Sequence, residues 1–234
     1  MHPLFTDLYT TLLHVFLPVR CVVCKQESPE AVCNTCLTNF TVVPTQICPN
    51  CHTPSIAGLV HATCAHPQSL DQLISLYDYK NKHVAELIIT GKYKFVPDAF
   101  HTIAPHISAF VKNYIDLPAD VMIAPLPLHR FRERWRGFNQ AGILSEHIAQ
   151  DLNIPYGEAL VRHRRTKTQK DLRKADRVTN VANCFSLAPQ TDVHKKIVLL
   201  VDDVTTSGST LQEAAKILKQ HGASQVIGIT LARD

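Results

Sequence analysis

Two adjacent carboxylates, Asp202 and Asp203, separate the aliphatic run at 197–201 from a hydroxyl-rich turn made of Thr205, Thr206, Ser207, Gly208, Ser209 and Thr210. A buried strand that ends at the acids, followed by a loop and a helix from 209, aims the loop amides and the helix N-terminus at one point. The helix dipole favours an anion there. The hydroxyls add donors, and Gly208 permits the close backbone approach a phosphate needs, which a larger side chain at this position would block. Two acids beside a phosphate make sense as acceptors for sugar hydroxyls, since a carboxylate takes two hydrogen bonds from a vicinal diol. The segment therefore fits a ribose whose 5-phosphate sits in the turn. It lacks the Lys of a Walker A loop, and no GxGxxG stretch occurs in the chain.

Seven of the eight cysteines lie between residues 21 and 64, six of them as CxxC pairs: Cys21 with Cys24, Cys33 with Cys36, and Cys48 with Cys51. Two such pairs close one tetrahedral thiolate site, so the first four predict a bound zinc. The third pair and Cys64 supply three ligands of a second site. His61, three residues before Cys64, repeats the knuckle spacing and is the expected fourth ligand; His66 and His52 are the alternatives. Neither site has an acid or base placed to work on a metal-bound water, and a closed four-ligand shell leaves no open position. Both zincs are therefore expected to be structural. A disulfide framework is disfavoured because the N-terminus has no cationic region and Asp7 and His14 interrupt its apolar residues, which argues for a reducing cytoplasm. Cys184 stands apart and reads as a small core residue.

The net charge of +4 is unevenly spread: residues 1–70 sum to −1 and the remainder to +5. Half of the 24 Lys and Arg residues fall in two windows, 130–136 and 162–177. That bias points to a polyanionic ligand. In HRFRERWRGF at 129–138 cations alternate with aromatics. The pattern fits a single nucleic-acid strand, with Trp135, Phe131 or Phe138 stacking on bases, and it equally fits contact with pyrophosphate. The window at 162–177 also holds Asp171 and Asp176 and fits a mobile lid. His101, His106, His147 and His163 show no ligand spacing and read as surface residues.

These residues need a scaffold, and the apolar patterns predict one. Strands are expected at 73–79, 121–128, 197–201 and 225–232, and helices at 82–90, 140–152 and 209–221, with Asn139 as an N-cap and Gly222 just past the last helix. Pro125 and Pro127 take the second strand out of its sheet. Strand, helix, strand with short links is a βαβ crossover, so the fold is α/β with a mainly parallel sheet. Phe5, Leu8, Leu12 and Phe16 recur at helical spacing. The chain thus divides into a docking helix over 1–18, a double zinc ribbon over 19–70 and an α/β domain over 71–234. Its longest apolar stretches, at 12–18 and 197–201, fall short of the roughly 20 residues a membrane span needs, so none is expected.

The 197–210 segment resembles the phosphoribosyl pyrophosphate loop of type I phosphoribosyltransferases. The paired knuckles, IAPLPLH at 123–129, RGFNQ at 136–140, QKDL at 169–172 and RVTNV at 177–181 extend the likeness. In that order, over nearly the whole chain, they resemble the ComF/GntX family, which is associated with DNA uptake and use in bacteria. The sequence departs from the family at His61, where a Cys is more frequent, and at Trp135, which stands between Arg134 and Arg136 and leaves either arginine as a candidate.

The resemblance implies a type I phosphoribosyltransferase fold that binds phosphoribosyl pyrophosphate with Mg²⁺. By position, Leu126 and Pro127 would meet the magnesium-bound pyrophosphate, Arg134 and Arg136 would add cations, and Lys167 and Arg173 would come from a covering loop. Breaking the bond from C1 to pyrophosphate develops positive character on the ribose and negative charge on the leaving group. Cations would stabilise the latter and the catalytic acids Asp202 and Asp203 the former. No motif encodes the acceptor. Two further readings use the same residues: a non-catalytic DNA-processing adaptor that binds single-stranded DNA or competence proteins, and a regulator that binds the ligand without turnover.

Overall fold

The computed structural model of the chain describes residues 19–115, 118, 120–164 and 181–234. The expected docking helix at 1–18 and most of the basic window at 162–177, including Lys167 and Arg173, lie outside the described residues.

Among the described residues the ribbon contributes one short α-helix, α1 (Asn34–Thr38), and two 3-10 turns. Strand β1 (Gln72–Asp78) follows, then helices α2 (Lys82–Tyr93) and α3 (Asp98–Tyr114), β2 (Val121–Pro125), the short α4 (Arg130–Arg136) and α5 (Gln140–Leu152). Strands β3 (Leu160–Arg162) and β4 (Phe185–Leu187) form an antiparallel pair of their own. The chain ends with β5 (Ile197–Thr205), α6 (Ser209–Gln220) and β6 (Gln225–Arg233). The main sheet has the order β1-β6-β5-β2 and every neighbouring pair is parallel, as the βαβ pattern predicts.

Parallel strands buried on both faces read as continuous aliphatic runs, and β5 does so because a separate core covers each face. Leu199 and Val201 pack into a core built with α2, α3 and α5, together with Cys21 and Cys36 of the first cysteine cluster. Val198 and Leu200 pack into a second core with Leu70, Leu73 and the apolar face of α6. The side chain of Asn139 accepts from Ala141 N at 3.2 Å and caps α5 as expected, while Asn81 caps α2 through the amides of His83 and Val84. Two differences from the sequence expectation bear on the site. Helix α3 is not among the expected elements, because Pro105 in its interior masks the helical pattern. Strand β5 continues past the acids to Thr205, since Asp202 pairs with Thr230 and Val204 with Ala232 along β6.

The ribbon is joined to the sheet at several points. Gln46 accepts from Ser75 N at 2.9 Å and donates to Ser75 O at 3.0 Å, beside β1. Asn81 Nδ2 donates to Asn39 O and Thr41 Oγ1, so the start of α2 is fastened to the ribbon. The far end of α2 reaches β5.

Candidate functional site

Successive residues of a strand point to opposite faces, and the two acids obey that rule. Asp203 is buried on the α2 side, where its Oδ2 lies 2.6 Å from Lys92 Nζ. Asp202 belongs to the other side and lines a shallow open recess with Thr206, Gly208, Ser209 and Thr210. Its Oδ1 accepts the Asp203 amide at 2.8 Å. Burial pushes the Asp202 carboxyl up to about 8, the Asp203 charge adds to the rise, and Lys92 opposes it. The pair is thus split between an ion pair and a recess, with the two carboxyls still close enough for the Asp203 side chain to raise Asp202.

The turn itself is a left-handed hinge. Gly208 has φ +71° and is the N-cap of α6, and the hydroxyls of Ser207 and Ser209 lie 3.0 Å apart beside it. A Cβ at 208 would meet nothing nearer than Leu73 Cδ2 at 3.9 Å and Thr205 Oγ1 at 4.0 Å. The position therefore requires glycine for its backbone conformation, and no protein atom fills the space through which a phosphate would approach it.

The loop after β2 passes beside the same strand. Leu126 is buried, and its amide donates to Val201 O at 2.7 Å while its carbonyl accepts from Asn139 Nδ2 at 3.2 Å. Pro127 is half-buried next to it. Arg134 is exposed on α4, whereas Arg136 is half-buried and donates from Nη1 to Gln140 Oε1 at 2.7 Å. Arg136 Nε and Gln140 Nε2 are buried with no hydrogen-bond partner among the described residues. Two orphaned donors this close together are suited to an anionic acceptor.

Next to Lys92 the chain presents two aromatic rings that sequence reasoning missed, Tyr93 and Phe95, beside the expected Trp135. Tyr93 and Phe95 meet Trp135 edge-on at centroid distances of 6.5 and 5.1 Å, and the Arg136 guanidinium lies 5.8 Å from the Tyr93 ring centre. All three rings are about half exposed. Phe138 by contrast packs inward near Phe100 and is not available for stacking. The run Tyr93-Lys94-Phe95 beside Lys92 carries the same alternation of ring and cation as the window around Trp135, a signal that could have found it.

The cysteine clusters assemble as two sets, Cys21, Cys24, Cys33, Cys36 and Cys48, Cys51, His61, Cys64, with all ligand atoms in a set within 4.8 Å of one another. A zinc–sulfur bond of about 2.3 Å gives a tetrahedral edge of about 3.8 Å, and Cys24 Sγ lies 3.7 Å from Cys33 Sγ. Both sets fit zinc. His61 Nδ1 lies 3.3 Å from Cys51 Sγ, whereas His66 Nδ1 accepts from Gln68 N, so the structure selects His61 from the three alternatives. The leading CxxC pair of each set places the residue after its second cysteine, Lys25 or His52, in the left-handed region at φ +66° or +61°. Thiols this close compete for protons: hydrogen bonds led by Thr53 pull Cys51 down to about 6, while the Cys48 side chain and burial push Cys64 up to about 11. A divalent cation removes that conflict by holding every ligand deprotonated.

Comparison with known proteins agrees with this architecture. A model described as a double zinc ribbon domain matches residues 12–65, and one described as a phosphoribosyl transferase domain matches 138–234. Competence protein F of Haemophilus influenzae is 30% identical, with 93% of this chain and 98% of that protein covered. Competence protein ComFC of Bacillus subtilis is 30% identical over 88% of this chain and 85% of its own length. DNA utilization protein YhgH of Escherichia coli is 27% identical, covering 90% and 95%. Among the described residues, no helix is long and apolar enough to cross a membrane.

Proposed function

Because the chain belongs to the ComF family of double zinc ribbon and phosphoribosyltransferase-domain proteins, we propose that it is a cytoplasmic protein that binds phosphoribosyl pyrophosphate with Mg²⁺ and transfers its phosphoribosyl group in the handling of incoming DNA. The observation that carries this reading is that Asp202 lines one recess together with the left-handed Gly208 turn and the first turn of α6.

In this reading the turn 205–210 holds the 5-phosphate on its amides and hydroxyls, and Asp202 accepts from the ribose hydroxyls. Asp203, neutralised by Lys92, fixes the strand end rather than meeting the sugar alone. The orphaned donors of Arg136 and Gln140, with the backbone at Leu126 and Pro127, receive the pyrophosphate, and Arg134, Lys167 and Arg173 add charge around it. Magnesium, when bound with the pyrophosphate, supplies further neutralisation of the leaving group. As the C1 bond breaks, the positive charge growing on the sugar favours the ionised form of Asp202, which stabilises it. Calorimetric titration with phosphoribosyl pyrophosphate and Mg²⁺, followed by assay of pyrophosphate release across a panel of nucleobases and amines, tests binding and turnover separately. Absence of binding to the folded protein sinks the reading.

A second reading is favoured by one observation. The half-exposed rings of Tyr93, Phe95 and Trp135 stand among Lys94 and the α4 arginines, the surface that a single nucleic-acid strand needs for stacking and charge neutralisation. An adaptor that binds single-stranded DNA without turnover would use that surface alone.

A further inference from the structure

Gln212 lies in the first turn of α6, just beyond the phosphate turn, and its backbone amide donates to Gly208 O at 2.9 Å. Its side chain joins the helix to the second zinc knuckle. Nε2 donates to Asn50 Oδ1 at 2.7 Å and to Pro49 O at 3.3 Å, and Oε1 accepts from Leu70 N at 3.0 Å. Pro49 and Asn50 lie between the ligands Cys48 and Cys51. Asn50 Nδ2 in turn donates to Cys64 O at 2.7 Å and to Ser69 Oγ at 3.3 Å. Asn50 therefore spans both arms of the knuckle, and Gln212 holds Asn50. Between Cys64 and Gly208 the path consists of two side-chain amides and one helical turn, with no long flexible side chain in it.

We propose that Gln212 and Asn50 are positioning residues that make the phosphate turn and the second zinc site one cooperative unit. Zinc at Cys48, Cys51, His61 and Cys64 keeps the turn in its anion-accepting form, and a phosphorylated ligand in the turn tightens the hold on that zinc. The two effects are equal by linkage, because each ligand favours the same arrangement of the shared hydrogen bonds. The inference rests on the reading of 205–210 as a phosphate site. The first zinc site is outside the unit: its knuckle is tied to α2, through Lys25 and Glu86 at 2.7 Å.

The test uses the zinc-loaded full chain and two readouts: the rate at which each zinc passes to a chelating dye, and the calorimetric affinity for phosphoribosyl pyrophosphate with Mg²⁺. Replacing Gln212 by Met removes every side-chain hydrogen bond at similar volume. The expected result is release of one of the two zincs about five- to tenfold faster, with ligand affinity weakened by a similar factor. In the wild-type protein, saturating ligand should slow release of that same zinc and leave the other unchanged. Gln212→Glu keeps an acceptor for Leu70 N but loses both donors to the knuckle, and should behave like the Met variant. Wild-type release rates in both variants overturn the proposal, as does faster zinc release with ligand affinity intact. A wild-type protein that binds no ligand overturns the phosphate reading itself, and the zinc-release rate of Gln212→Met still decides whether the knuckle is tied to α6.

Discussion

Lys92, at the end of α2, places its ammonium 2.6 Å from the Asp203 carboxylate at the end of β5, and the two side chains are 18% and 10% exposed. The pair joins the helix that starts on the zinc ribbon to the strand that carries the candidate site. It also explains how two consecutive carboxylates coexist there, since one is neutralised and the other is held at a raised pKa.

Removing one partner leaves a largely buried charge uncompensated. Lys92→Met should destabilise the fold by about 2 to 3 kcal/mol, and adding Asp203→Asn should restore part of the loss. Denaturant unfolding of the two variants measures this; equal stability of wild type and Lys92→Met would show the pair to be unimportant.

The raised pKa of Asp202 has a definite pH signature. Its folded value of about 8 lies above the ordinary 3.8, so the folded state binds a proton that the unfolded chain releases. The contribution is fully present below about pH 4 and is lost as pH rises to about 8, so stability should fall across that window. The slope should flatten in Asp202→Asn, and unchanged slopes would show that the carboxyl is ionised in the native protein.

Zinc content is the simplest measurement. Protein purified without added metal should hold two zinc ions per chain, as the two four-ligand sets require. His61→Ala should lower the count toward one and His66→Ala should not, because His61 Nδ1 stands beside Cys51 while His66 Nδ1 accepts from Gln68 N. Two zincs retained in His61→Ala would move the fourth ligand elsewhere.

Gly208 separates conformation from crowding. With φ at +71° and open space around a built Cβ, Gly208→Asn should keep more affinity for phosphoribosyl pyrophosphate than Gly208→Val, since Asn tolerates the left-handed region. The strain in the Val variant should cost about 1 to 2 kcal/mol of stability. Equal affinities in both variants and wild type, measured by calorimetry, would remove the turn from the binding site.

Trp135 is the single tryptophan of the chain, so its fluorescence reports directly on the exposed aromatic cluster. Single-stranded DNA bound there should change that emission, and its affinity should fall steeply with salt. Binding without a fluorescence change would place the strand on another surface, and no binding at low salt would remove the adaptor reading.

The sequence by itself determined the features whose chemistry is local. A CxxC knuckle brings two thiolates together within one turn, so the ligands of both zincs were legible from spacing, with His61 left among three histidines. The acids, the hydroxyl-rich turn and the helix after it are consecutive, so their arrangement was legible too, as was the parallel sheet from alternating strand and helix patterns. Tertiary structure decided what no short segment encodes. Alternation along β5 was latent in the sequence, but only the extension of the strand to Thr205 and the approach of α2 show that Asp203 meets Lys92 while Asp202 lines the recess. His101 and His147, which show no ligand spacing, are brought to 2.8 Å by the packing of α3 against α5. The hydrogen bond from Gln212 to Asn50 spans 162 residues. Such contacts arise from how helices cross the sheet, a property of the summed packing of two cores rather than of any local pattern, and they settle how the zinc ribbon and the candidate phosphate site are joined.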